Sequence, residues 1–124
     1  MVRDALIVLS AAVVLGLTLA AWHMRAEGRR ANWVNWVGLL HGGLGAIALG
    51  LLVLAVLGPS RGVASGTGAF GLVAAILLSA AFLVGLTLPV LVRRHPAVSG
   101  TVMAIHAGIA ITGSVIFLAW AAFD

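Results

Sequence analysis

The chain contains no cysteine, no lysine and no tyrosine, and only 8% of its 124 residues are charged. Each absence removes a class of protein. Without cysteine there is neither a disulfide framework nor thiolate metal ligation. Soluble domains carry about 25% charged residues, so a chain this poor in charge cannot solvate a globular surface. With 63% hydrophobic residues the composition is that of an integral membrane protein. All seven basic residues are arginine, and the net charge is +4. Nucleic acid is nevertheless excluded as a partner, because the arginines sit at the ends of apolar runs, where membrane topology uses them.

What is present is four long apolar runs, about Ala5–Trp22, Val34–Leu57, Ala69–Val92 and Gly100–Ala122. Each meets the roughly 20 residues that a helix needs to cross the hydrocarbon core. Helices satisfy their backbone groups internally, which lipid demands. An outer-membrane strand would alternate polar and apolar residues, and these runs do not. The connections are short, so neighbouring helices are antiparallel. The expected fold is all-α: a single transmembrane domain forming an up-down-up-down four-helix bundle.

The first and third connections hold Arg25, Arg29, Arg30, Arg93 and Arg94; the middle one holds only Arg61 and the N-terminus only Arg3. The positive-inside rule then puts the first and third connections in the cytoplasm and both termini outside, in a bacterial inner membrane. A cleaved signal peptide would carry its positive cluster before the apolar core. Here the cluster follows it, so the first run reads as a retained helix. Trp22, Trp33 and Trp36 bracket the cytoplasmic surface and Trp120 the opposite one, as in an interfacial aromatic belt. Pro89 is expected to kink the third helix, and Pro96 suits the start of the fourth.

An internal echo suggests two related hairpins. "LGLTLA" (Leu15–Ala20) matches "VGLTLP" (Val84–Pro89), and "HGG" at His41 is matched by "HAG" at His106. Gly16 precedes His41 by 25 residues and Gly85 precedes His106 by 21, the difference falling in the longer first connection.

His41 and His106 are the unusual residues. Both lie in apolar, glycine-rich runs, roughly 10 Å in from the cytoplasmic ends of their helices at about 1.5 Å per residue. The second and fourth helices of such a bundle are diagonal, so the two imidazoles share a depth and face one another across the bundle axis. An ionisable residue within a membrane is a functional hypothesis by default. One reading is a b-type haem held by two axial imidazoles. Small residues flank each ring: Gly38, Gly45 and Ala48 on the face of His41, and Ala110 and Gly113 on that of His106. Arg25, Arg29, Arg30, Arg93 and Arg94 would meet the haem carboxylates, for which arginine is the preferred partner. The other reading is structural: membrane histidines also serve as hydrogen-bonding residues between helices. Gly38, Gly42, Ala46 and Gly50 recur every four residues, as do Gly100, Ala104, Gly108 and Thr112, and such stripes serve close helix packing. His23 and His95 lie near the cytoplasmic surface. They read as interfacial residues, with a second ligand pair, carboxylate contact or proton transfer to a quinone as alternatives.

In this placement of His41 and His106 the chain resembles the four-helix membrane b-type cytochromes. The segment "HPAVSGTVMAIHAG" (His95–Gly108) also has the look of small bacterial membrane proteins of unassigned role. The cytochrome resemblance implies haem-ligand roles for His41 and His106, and electron exchange with a quinone, an ascorbate-like donor or a partner enzyme. It departs from members that relay electrons across the membrane, which carry a second haem near the opposite face; no histidine lies in this chain's outer half. The expected function is therefore electron transfer near the cytoplasmic face by a small haem b protein or subunit, with a membrane redox partner or a second copy of itself. This makes it a redox component rather than a stand-alone enzyme. The alternative is a non-catalytic accessory subunit of a larger membrane complex, its small-residue stripes serving as contact surfaces. A proton-coupled transporter is disfavoured, because no Asp, Glu, Lys or Arg lies within the four cores.

Overall fold

The computed structural model describes residues 1–25 and 32–122, with side chains not described for residues 32 and 33. It contains four α-helices: α1 (Val2–Arg25), α2 (Asn32–Val56), α3 (Phe70–Arg94) and α4 (Pro96–Ala122). No strand occurs among the described residues. Each helix is long and apolar enough to cross a membrane, so the chain is a multi-pass membrane protein. The helices run past the apolar cores to take in their charged ends, including Arg25 and Arg94. The fourth helix starts at Pro96, four residues before the apolar run. Proline lacks the N–H that a first helical position leaves unused.

The core pairings are α1 with α2 and α3 with α4; α2 also lies beside α3, and α1 beside α4. No α1–α3 or α2–α4 backbone approach occurs among the described residues, so those pairs are the diagonals of the bundle. The outside is studded with exposed Val14, Leu17, Leu39, Leu40, Leu83, Leu86, Ile105 and Val115, as suits a surface facing lipid tails. The helix α3 is unbroken through Pro89. Having no N–H, Pro89 leaves the Gly85 carbonyl without its usual helical donor.

The two hairpins repeat one another. In α1 and α3 the matching positions are 69 residues apart: Ala5 and Ala74, Leu9 and Leu78, and Ala12 and Ala81 are all buried. Ser10 bonds the Leu6 carbonyl at 2.8 Å, and Ser79 bonds the Ala75 carbonyl at 2.7 Å, at the same spacing. In α2 and α4 the matching positions are 65 apart: Ala48 and Gly113, Leu52 and Phe117, and Ala55 and Trp120 are all buried. Because successive helices alternate in direction, the two hairpins point the same way, and the pseudo-two-fold axis relating them runs along the bundle.

The repeat is broken at the end farthest from the arginines. There Trp120, only 4% exposed, replaces Ala55, and Gly71 replaces Val2. A Cβ on Gly71 would come within 2.8 Å of the Trp120 ring, so the glycine makes room for the indole. Phe117 packs beside it at 6.2 Å between ring centroids. Trp120 is thus a core residue and not part of an interfacial belt. Trp36 lies in the first turns of α2 and is 70% exposed.

The small-residue stripes lie on the outside. A Cβ at Gly38, Gly42, Gly50, Gly100 or Gly108 would meet nothing within 4 Å, and Ala46, Ala104 and Thr112 are exposed. Among the described residues they pack against no neighbouring helix.

Candidate functional site: a paired imidazole centre

His41 and His106 meet across the α2–α4 diagonal. Their ring centroids are 6.0 Å apart and their planes are inclined at 82°. Helix α2 begins nine residues before His41 and α4 ten before His106, so both rings stand at nearly one level, roughly 14 Å from the helix starts.

Each ring is held by the neighbouring helix of its own hairpin. His41 Nδ1 lies 2.8 Å from the Ala12 carbonyl oxygen, and His106 Nδ1 lies 2.8 Å from the Ala81 carbonyl oxygen. A carbonyl only accepts, so Nδ1 is the protonated nitrogen in both rings. In the neutral imidazole Nε2 then carries a bare lone pair. Ala12 and Ala81 are small and buried, which brings their helix backbones up to the rings.

One turn further along stand Gly16 and Gly85. A Cβ on Gly16 would fall 2.8 Å from His41 Cε1, and one on Gly85 would fall 2.9 Å from His106 Cε1. Real Cβ atoms do not approach that closely, so only glycine admits the ring at either place. The echo "LGLTLA" and "VGLTLP" holds both glycines. That echo was the signal in the sequence; their role as seats for the imidazoles follows only once the helices are paired.

The other expected residues are distributed more widely. Gly38 and Gly45 lie on α2 on either side of His41. A Cβ on Gly38 would find open space, while one on Gly45 would touch Phe82 at 3.9 Å. Ala110 is half-buried one turn beyond His106. Gly113 is filled from α3, with Leu78 Cγ 3.0 Å from where its Cβ would be. Arg25, Arg93 and Arg94 are exposed at the helix ends on the histidine side of the bundle, about 13 Å beyond the level of the rings for Arg25 and Arg94. Arg25 follows Gly16 by nine residues and Arg94 follows Gly85 by nine, so the repeat extends to the charges. Arg29 and Arg30 lie outside the described residues. His23 and His95 are exposed at the same end of the bundle.

Among the described residues no group of three or more His, Cys, Asp or Glu side chains could hold a metal ion.

Comparison with family models, with curated proteins and with solved structures finds no match.

Proposed function

We propose that this membrane protein binds one haem b between His41 and His106 and works as a small electron-transfer protein or subunit. The observation that carries the reading is the facing pair of imidazoles, each with Nδ1 tied to a backbone carbonyl. Two nitrogens bound to a shared iron at about 2 Å each put the ring centroids about 6 Å apart. The observed 6.0 Å fits that requirement. A hydrogen bond from the far nitrogen of a ligating histidine fixes its tautomer and raises its basicity, and both rings have one. The α1–α3 diagonal at this level is lined by Ala12, Gly16, Ala81 and Gly85, which offer backbone rather than bulk to the edges of a flat macrocycle. Arg25, Arg93 and Arg94 are within the same end of the bundle to neutralise carboxylates.

When bound, the haem would supply one-electron redox chemistry. The chain's own residues would hold the ligands, exclude water and bias the potential. The arginine asymmetry supports an inner-membrane orientation with the histidine end toward the cytoplasm and both termini outside. Electron exchange would then take place near the cytoplasmic face, with a quinone or a membrane redox partner. Expression under haem-replete conditions, followed by haem and protein quantification, tests the reading: one haem per chain is expected, and a stoichiometry near zero refutes it.

The exposed stripes favour a second reading, in which the chain is an accessory subunit. Gly42, Gly50, Gly100 and Gly108 present open backbone to the outside, and such surfaces let another membrane helix approach closely. A colourless preparation that holds a fixed partner in constant ratio, and loses it in Gly100→Leu or Gly108→Leu, would support that reading instead.

A further inference from the structure

The paired imidazoles have a chemistry that does not depend on a macrocycle. Among the described residues the only hydrogen bond of either ring is the one from Nδ1, to Ala12 in the first hairpin and to Ala81 in the second. Each neutral ring is left with an Nε2 lone pair and no protein donor to meet it. The opposite edge of each ring is occupied. A Cβ on Gly16 would lie 2.8 Å from His41 Cε1 and 3.2 Å from Nδ1, but 3.6 Å from Nε2. On Gly85 the same distances to His106 are 2.9, 3.1 and 3.7 Å. Both rings are thus pinned by their own hairpins, and neither can swing away without giving up its carbonyl bond.

Two neutral nitrogen donors decide which bare ion suits the pair. Zinc in a structural site is tetrahedral and takes four donors, and among the described residues no third His, Cys, Asp or Glu joins these two. Cu(I) and Ag(I), closed-shell monocations, bind two nitrogens in line, and imidazole is a good ligand for copper. Bound at about 2 Å from each nitrogen, such an ion puts the ring centroids about 6 Å apart. They are 6.0 Å apart. In-line binding leaves the twist between the rings free, so their 82° inclination is no obstacle. Charge points the same way. The cost of taking an ion out of water scales with the square of its charge, so a dication on neutral ligands costs about four times what a monocation does. The exposed Arg25, Arg93 and Arg94 at this end of the bundle also repel a dication more strongly.

We infer that His41 and His106 also form a two-coordinate site for a soft monovalent cation, Cu(I), held in line between their Nε2 atoms. Binding is a ligand exchange: the ion leaves its carrier ligands, both Nδ1 protons stay on their carbonyl bonds, and no electron moves. The inference goes beyond the haem reading and does not need it. The two occupants exclude one another, because they use the same two lone pairs.

The test uses the full chain from haem-deficient cells, with ¹⁵N-labelled histidine, in nanodiscs without oxygen. Ag(I), which shares the charge and the in-line preference of Cu(I), is the NMR probe. His41 and His106 are assigned by the resonances lost in His41→Gln and His106→Gln. One equivalent of Ag(I) is expected to shift both Nε2 resonances together and to split each by coupling to silver, with both Nδ1 atoms still protonated. Competition with bathocuproine disulfonate should then find one Cu(I) per chain. Loss of even an outer-shell partner of a metal ligand costs about 10–100-fold in affinity, so either glutamine variant should bind Cu(I) about a hundredfold more weakly or worse. The parent spectrum decides without the variants' folding. Ag(I) that moves only one of the two rings, or only His23 and His95, overturns the inference. A chain that takes up haem and leaves both Nε2 resonances unmoved by Ag(I) overturns this inference alone. A chain that takes up Ag(I) and no haem refutes the haem reading and supports this one.

Discussion

His41 and His106 stand 6.0 Å apart between ring centroids with their planes nearly perpendicular, and each donates its Nδ1 proton to a carbonyl of the helix beside it. The pair is built by two-fold repetition. One hairpin supplies His41 with Ala12 and Gly16, and the other supplies His106 with Ala81 and Gly85. Equivalent construction means equivalent consequences, and most of the predictions are comparisons across the repeat.

The ring planes are 82° apart. Bound to one iron at this angle, the imidazoles would leave the two d-orbitals that bond with them almost equal in energy. The ferric protein is therefore expected to give a low-spin EPR signal of strongly anisotropic, large-g type. A rhombic signal of the kind given by parallel imidazoles would mean that the rings rotate on binding.

Gly16→Ala and Gly85→Ala are expected to act alike. Each drives a Cβ into an imidazole at 2.8 or 2.9 Å, and overpacking of this kind costs about 1–3 kcal/mol. Haem retention should fall about thirtyfold at the middle of that range. Gly50→Ala, which meets nothing within 4 Å, should retain haem as the parent does. Competitive transfer of haem to an apo-globin measures all three.

The core away from the histidines is expected to respond to cavities. Leu52 and Phe117 occupy matching places and are each 1% exposed. Leu52→Ala should cost about 2–5 kcal/mol and Phe117→Ala about 3–5 kcal/mol. Gly71→Ala should destabilise through a clash with Trp120, by about 1–3 kcal/mol. Reversible unfolding in mixed micelles reads the three effects. Equal stability of parent and Phe117→Ala would mean that the ring is not in the core.

The sequence makes the four spans readable because lipid allows so few solutions: a run of about 20 apolar residues has to be a helix. Helix ends were less legible. Arg25, Arg94 and Pro96 continue helices that the apolar runs alone would end sooner, since charge tolerates the interface and proline tolerates a first turn. The matched depth of His41 and His106 was legible from helix rise alone. Their partners were not, because a backbone carbonyl such as that of Ala12 leaves no signature in the letters. Trp120 misled for a related reason: an interfacial tryptophan and a core tryptophan look alike until Gly71 is seen opposite. The two glycine stripes showed their period in the sequence, but not that they face away from this chain's own helices.

The central claim is that two imidazoles share one iron, and the most direct measurement is the reduced-minus-oxidised absorption spectrum of the purified protein beside its His41→Ala and His106→Ala variants. The parent is expected to show a Soret band and a sharp α band of six-coordinate haem b. Both bands should be lost or converted to a five-coordinate form, to the same degree, in either variant. A colourless parent purified from haem-replete cells, or a spectrum that survives both substitutions unchanged, would contradict the account.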